Sequence, residues 1–499
     1  MPHTRSIALA AMLALAAGAA AAQTPRATAS SASSAAPPAL TAITREELRR
    51  DLFAMASDSM RGREGATQDE LRASVWVAER ARQAGMLPAG DDGTYFQFFP
   101  LRRIRQTAAS TVAIGGAPLA LWEDAVLLSP VTARVDAAVA RVEGTGAATE
   151  GRVVVARLRA PTRVPPRGVS LWEWRYAMGA MREQSTALRA GNPAAIVLVA
   201  DTVAAVAFGR MQHWQREGLY LLDEPGTAVP AAAGPPVFLV RAEVMERLAD
   251  GARFTADLGV ESFVYPSVNV VARVPGTDPR LRAEHVVFSG HQDHDGIGEP
   301  VNGDSIWNGA DDNATVSVAL LAIGRAFARR PGRRSALFVW HGAEERGLLG
   351  SRWYSARPTV PKESLVAVLN GDMIGRNHPD SAALLGSIAP HRNSTALVEM
   401  ALEANRRHTR FALDTTWDDP AHPEGWYFRS DHLPYARAGV PAIFFTTLLH
   451  PDYHTLEDEP ERIDVAKLTR MTQWMYATGW AVANAAQRPR VDPGFKLER

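Results

Sequence analysis

The chain has 499 residues, with 54 Lys+Arg against 54 Asp+Glu, 13 His, no Cys, 46% hydrophobic and 22% charged residues. Zero net charge supplies no basic field for nucleic acid, and the composition is globular rather than disordered or fibrous. Without cysteine there are no disulfides, thiolate zinc sites, iron–sulfur clusters or cysteine nucleophile, so any metal must be held by His, Asp and Glu.

Residues 1–22 read as a cleaved export signal: Arg5, then an Ala/Leu-rich run ending in Ala20-Ala21-Ala22 before Gln23. The run is too short and Ala-rich for a spanning helix. The mature chain is therefore expected to be exported, periplasmic or secreted, with no stable membrane insertion after cleavage. Residues 23–40, rich in Ser, Ala and Pro, read as a disordered leader. Thr44 is placed to cap a helix over 45–56. A second amphipathic helix over 68–85 shows Leu71, Val75, Val77 and Ala78 between charges.

Residues 110–264 change character. Short β-like runs at 152–158, 194–200 and 236–240 alternate with Pro/Gly/Ala loops, with one helix at 175–190 and one His, His213. This predicts a separate β-rich lobe without evident chemistry. From 265 onward, strands at 269–273, 285–289, 335–340, 365–370 and 442–446 alternate with helices at 312–329, 348–356, 394–407 and 465–484. That grammar predicts an α/β fold: a mixed, mostly parallel sheet with helices on both faces, to which 41–109 adds an N-terminal part. Functional groups in such sheets gather in loops beyond the strand ends.

Five such ends carry His, Asp or Glu. They are Gly290-His291-Gln292-Asp293-His294, Gly309-Ala310-Asp311-Asp312-Asn313, Gly342-Ala343-Glu344-Glu345, Gly371-Asp372-Met373 and His450-Pro451-Asp452-Tyr453-His454. Singly, each is more often a turn or a helix cap. Together, acids placed after apolar strands call for cationic partners, and a pair of divalent metals is an economical explanation. Such a site uses about two His and three carboxylates, with one more carboxylate free to shuttle protons. Adjacent Glu344 and Glu345 can divide those roles, because neighbours in an extended loop point opposite ways. His294, His341, His432 and His450 read as supporting or structural.

The ordered series resembles the exported co-catalytic-zinc aminopeptidases, whose relatives include aminopeptidase Y, glutamate carboxypeptidase II, glutaminyl cyclase and the transferrin receptor ectodomain. It comprises Gly290-His291-x-Asp293, Gly309-Ala310-Asp311-Asp312-Asn313, Glu344-Glu345-x-Gly347, Asp372-Met373-x-Gly375, Ser430-Asp431-His432 and Tyr453-His454-Thr455, after an opening Gly62-Arg63-Glu64-Gly65. The resemblance implies two Zn2+ ions in a catalytic domain over 265–499: His291 and Asp372 on one ion, Glu345 and His454 on the other, and Asp311 bridging, with a cis peptide to Asp312. It implies Glu344 as general base, Asp293 as the group orienting His291, and Tyr427 as a hydrogen-bond donor to the developing oxyanion. Residues 110–264 resemble the protease-associated domain that relatives insert.

The implied activity is hydrolysis of peptides from the N-terminus through a metal-bound hydroxide. A carboxypeptidase or dipeptidase stays open, with Arg346, Arg352, Arg376 and Arg429 available for a carboxylate clamp. So does a non-catalytic binding module, although such relatives lose ligands. Ser430, Asp431 and His432 are neighbours and cannot readily form a catalytic triad. The motifs do not encode an oligomeric state.

Overall fold

Four strands form the centre of the main sheet: Leu365–Gly371, His285–His291, Ser335–His341 and Ala442–Thr446. Every residue in them is buried, as both-sided cover requires, and neighbouring members of the four run parallel. Antiparallel strands flank this centre. Ser381–Leu385 pairs with Ala442–Thr446 on one side, and Val260–Val274 with Ser335–His341 on the other. Beyond it lies Phe96–Gln106, paired with Val260–Val274 from Val260↔Gln106 to Val270↔Phe96. This computed structural model describes residues 36–143, 149–226 and 234–497. The export-signal expectation lies outside the described residues. The leader was expected to run to 40, yet Pro37 and Ala39 are already buried and the Leu40 carbonyl accepts from Gln473.

Helices cover both faces of the sheet. Among the described residues the helices are, in chain order, α1 (Arg45–Met55), α2 (Gln68–Gln83), α3 (Trp172–Arg189), α4 (Thr202–Glu217), α5 (Thr315–Arg329), α6 (Leu349–Ala356), α7 (Thr395–Ala404), α8 (His432–Arg437) and α9 (Val465–Asn484), of which α3 and α4 belong to the inserted segment. On one face α5 is buried on nearly all sides, between the sheet and α1 and α9, in a core containing Leu320, Phe327, Phe288 and Trp474. On the other face Tyr354 of α6 and Tyr435 of α8 pack on Val287, Leu337 and Val368.

Two helices differ from their sequence reading. The buried stripe of α2 runs through Ala73, Ser74, Val77, Ala78 and Ala81, whereas Leu71 (41%) and Val75 (51%) are exposed. The helix expected from 312 starts at Thr315, because the preceding acids occupy a wide turn, Ala310–Ala314.

The inserted segment builds a second, eight-stranded sheet from strands between Thr111 and Leu258. Its parallel run Val153–Arg157, Ala195–Val199 and Val237–Val240 carries α3 and α4 on one face. The sequence reading missed α4, since 203–208 looks like a further apolar run after the strand. Asp201 decides the matter: its carboxylate accepts the N–H groups of Val203 (3.1 Å) and Ala204 (2.8 Å), an N-cap. Leu219–Leu222, directly after α4, leaves this lobe and pairs with Phe96–Gln106 at the edge of the main sheet.

Candidate metal centre and cleft

Parallel neighbours end at the same edge, so His291, the Glu344–Glu345 loop, Asp372 and the 450–454 loop emerge together. The turn carrying Asp311 and Asp312 is brought to that edge by buried anchors. The Arg63 guanidinium donates to the carbonyls of Gln292 (2.8 Å), Asn308 (2.7 Å) and Gly309 (2.9 Å), tying the strand end to the turn. This gives the Gly62-Arg63-Glu64-Gly65 signature its physical purpose. Asp458 accepts the N–H groups of both Asp311 and Asp312. Gly309 has φ +52°, and a Cβ there would lie 2.2 Å from the Asp312 carbonyl oxygen and 2.3 Å from the His294 ring.

Two histidines face one carboxylate. His291 Nε2 lies 3.2 Å from Asp312 Oδ1, 3.5 Å from Asp372 Oδ1 and 3.8 Å from Glu344 Oε2. His454 Nε2 lies 3.4 Å from Asp312 Oδ2 and 3.3 Å from Glu345 Oε2. The shared carboxylate is thus Asp312, which corrects the expectation for Asp311. Asp311 turns away: its Oδ1 accepts the Gly375 N–H (2.7 Å) and its Oδ2 faces His450 Nε2 (3.4 Å). The cis bond also lies one residue later, at Asp312–Asn313. The motif contains two adjacent acids, and spacing alone does not tell which of them faces inward.

Orientation comes from the other ring nitrogens. His291 Nδ1 faces the Asp293 main-chain carbonyl at 3.1 Å, with the Asp293 carboxylate farther off at 3.9 Å. That carboxylate instead accepts the N–H groups of Glu344 (3.0 Å) and Glu345 (3.2 Å), fixing the loop that presents them. Asp293 therefore supports His291 through its backbone and Glu344 through its side chain. His454 Nδ1 is held by Asp295 Oδ2 at 2.6 Å, a partner the sequence reading missed although it directly follows the His291 motif. His294 Nδ1 faces Glu345 Oε1 at 2.8 Å, and its ring lies 5.2 Å from that of His454.

Both Nε2 atoms are buried and make no hydrogen bond among the described residues. With Nδ1 engaged on each ring, Nε2 is the nitrogen left to bind a metal. Around them burial pushes the Asp293 and Asp372 carboxyls up to about 6 and Asp431 to about 7. Glu344 is raised well above its usual range, chiefly by burial, with Glu345, Asp431 and Asp372 adding to this against the opposing effect of His291. Asp312 goes the other way: burial raises it, but the His291 and His454 imidazoles that face it hold it well below its usual range. For the carboxyls that burial raises, a bound cation would stabilise the charged form. Imidazole nitrogen with carboxylate oxygen is a donor set that suits zinc.

Beside the cluster opens a cleft of about 690 Å³ that reaches Glu344, Glu345 and His454. Trp174 and Arg175 of α3 and Trp214 of α4 line it, so the lobe read as lacking chemistry supplies a wall. Tyr427 is not at this surface. It is fully buried and stacks on His391 at 4.2 Å, while Phe428 and Tyr453 line the cleft. Tyr453 Oη accepts from Arg429 at 2.8 Å. Of the clamp candidates, Arg346 and Arg429 reach the cleft, Arg376 pairs with Asp452, and Arg352 is not among the lining residues. Ser430 Oγ accepts from Asn370 (2.7 Å) and the His432 ring stacks on Phe444 (5.0 Å), so serine and histidine are committed to different neighbours.

Residues 269–479 match the family model described as Peptidase family M28. A "Probable leucine aminopeptidase" of Arthroderma otae is 27% identical over 234 residues, covering 44% of this chain and 58% of the relative. "Leupeptin-inactivating enzyme 1" of Streptomyces exfoliatus is 31% identical over 198 residues, covering 38% and 39%. The chain thus spans less than two thirds of the length of these curated relatives. Among solved structures, a zinc aminopeptidase from Bacillus subtilis superposes with TM-score 0.58 at 17% identity, covering 91% of this chain and 99% of that one. An aminopeptidase from Aneurinibacillus sp. strain AM-1 gives TM-score 0.56 at 16% identity, covering 91% and 97%. At these identities the superpositions establish the fold.

Proposed function

We propose, on the premise that residues 269–479 are a peptidase family M28 domain, that this chain is an exported dizinc exopeptidase, an aminopeptidase releasing residues from peptide N-termini. The observation that carries the reading is one carboxylate, Asp312, presenting its two oxygens to two histidine Nε2 atoms that have no other hydrogen-bond partner. His291 and Asp372 would hold one Zn2+, His454 and Glu345 the other, with Asp312 common to both. Bound there, the ions supply Lewis-acid polarisation of the scissile carbonyl and lower the pKa of the attacking water.

The chain's own residues handle the proton. Glu344 lines the cleft, its loop is fixed by the Asp293 carboxylate, and burial raises its proton affinity. It takes the proton from the attacking water and passes it to the leaving amine. His454 and His291 are held in one orientation by Asp295 and by the Asp293 carbonyl, so neither must reorganise during turnover. The fungal relatives named as leucine aminopeptidases support the aminopeptidase assignment. So does the state of the arginines that line the cleft, since each already faces carboxylate: Arg175 and Arg429 share Glu424, and Arg346 faces Glu64 and Asp295.

The mature protein, purified after export, is expected to begin at Gln23 and to carry two zinc ions per chain by metal analysis. Chelation should abolish cleavage of an aminoacyl anilide. Glu344→Gln should keep the metal and lose about 10²–10⁴-fold in turnover. Full activity of that variant, or cleavage confined to substrates with a free carboxyl terminus, would sink the aminopeptidase mechanism.

A further inference from the structure

The inserted lobe reaches the His454 side of the metal centre through α4. Arg210, His213 and Trp214 lie on one face of α4 at helical spacing. Arg210 donates to the His454 main-chain carbonyl at 2.8 Å. The Trp214 ring meets the His454 ring edge-on, with centroids 5.8 Å apart and an angle of 85°. His213 Nε2 faces the main-chain carbonyl of Asp295 at 3.2 Å, and Asp295 in turn holds His454 Nδ1. The set is braced from behind. Trp174 of α3 packs edge-on against Trp214 at 5.1 Å, and the His213 ring stacks on Trp307 at 5.3 Å.

His454 needs such support, because its φ is +49°, a left-handed conformation that is unfavourable for a residue with a side chain. The other half of the centre is held from the main sheet itself. The Asp293 carbonyl faces His291 Nδ1, and the Asp372 N–H donates to Phe445 at 3.1 Å.

We infer that Arg210, His213 and Trp214 are positioning residues for the His454 half of the metal pair, so that α4 of the inserted lobe sets the affinity of one ion and not of the other. This rests on the dizinc reading above. It makes the lobe part of the metal centre as well as a wall of the cleft.

The test titrates metal-free full-length protein with Zn2+ by calorimetry, and with Co2+ while following its visible absorption, so that the two binding steps are resolved. Arg210→Ala and Trp214→Ala are each expected to weaken one of the two steps, the same one in both variants, by about 10–100-fold and to leave the other unchanged. Trp214→Phe, which keeps an aromatic edge toward His454, should recover most of the loss. Val206→Ser, on the exposed side of α4, should change neither step. Arg210→Gln, at a partly exposed position, carries the test if Trp214→Ala does not fold. Wild-type affinities in the Arg210 and Trp214 variants would overturn the inference, and so would equal weakening of both steps. A wild-type chain that takes up no metal overturns the dizinc reading, and this inference with it.

Discussion

At the scale of single residues, the centre turns on which of two adjacent acids points inward. Asp312 lies between His291 and His454, while Asp311 is committed to the Gly375 N–H and to His450. Asp312→Asn is therefore expected to take metal content from two ions per chain toward none after dialysis. Asp311→Asn, which keeps an oxygen for Gly375, should retain both. The opposite result would restore the bridging role to Asp311. The residue types and their order were legible in the sequence, because ligand chemistry without cysteine leaves only His and carboxylate. Their facing was not, since it depends on Asp458 and Arg63 gripping the turn from segments 147 and 246 residues away. Tyr427 shows the same limit. Its neighbour Phe428 reaches the cleft, and the tyrosines that line it are Tyr220 and Tyr453.

At the scale of elements, periodicity located the helix 465–484 and the four central strands, because an uninterrupted apolar or amphipathic pattern has one way to bury itself. It failed at α4, where an apolar run after a strand has no distinctive period and the start is set by a single cap. Asp201 holds that cap and also accepts the Tyr176 hydroxyl at 2.6 Å. Asp201→Ala should destabilise the protein by about 1–2 kcal/mol in denaturant unfolding. A loss below measurement error would show that packing of α4 against α3 defines the helix without its cap.

At the scale of the whole molecule, burial controls the response to acid. His285 begins a central strand, is 6% exposed, and faces Ser364 Oγ at 3.0 Å. Burial, aided by Arg273, lowers its pKa from the ordinary 6.5 to about 4. Between these values the unfolded chain binds the proton and the folded chain does not, so stability rises with pH. The contribution is complete above about 6.5 and is lost as pH falls through about 4. Unfolding free energies at pH 5 and 7 should differ less in His285→Gln than in wild type, by up to about one proton of slope. An unchanged slope would mean that His285 does not titrate in this window.

The sequence by itself determined the alternation of strands and helices, the absence of thiolate chemistry and the set of His, Asp and Glu at five strand ends. These follow from local pattern and composition, which neighbours along the chain express directly. Only the tertiary structure decided that Asp312 is shared, that Asp295 holds His454, that Tyr453 and not Tyr427 lines the cleft and that α4 reaches the metal centre. Each of these is a contact between segments far apart in sequence, and such contacts are set by how the sheet edge, the turn and the lobe pack together rather than by the identity of adjacent residues.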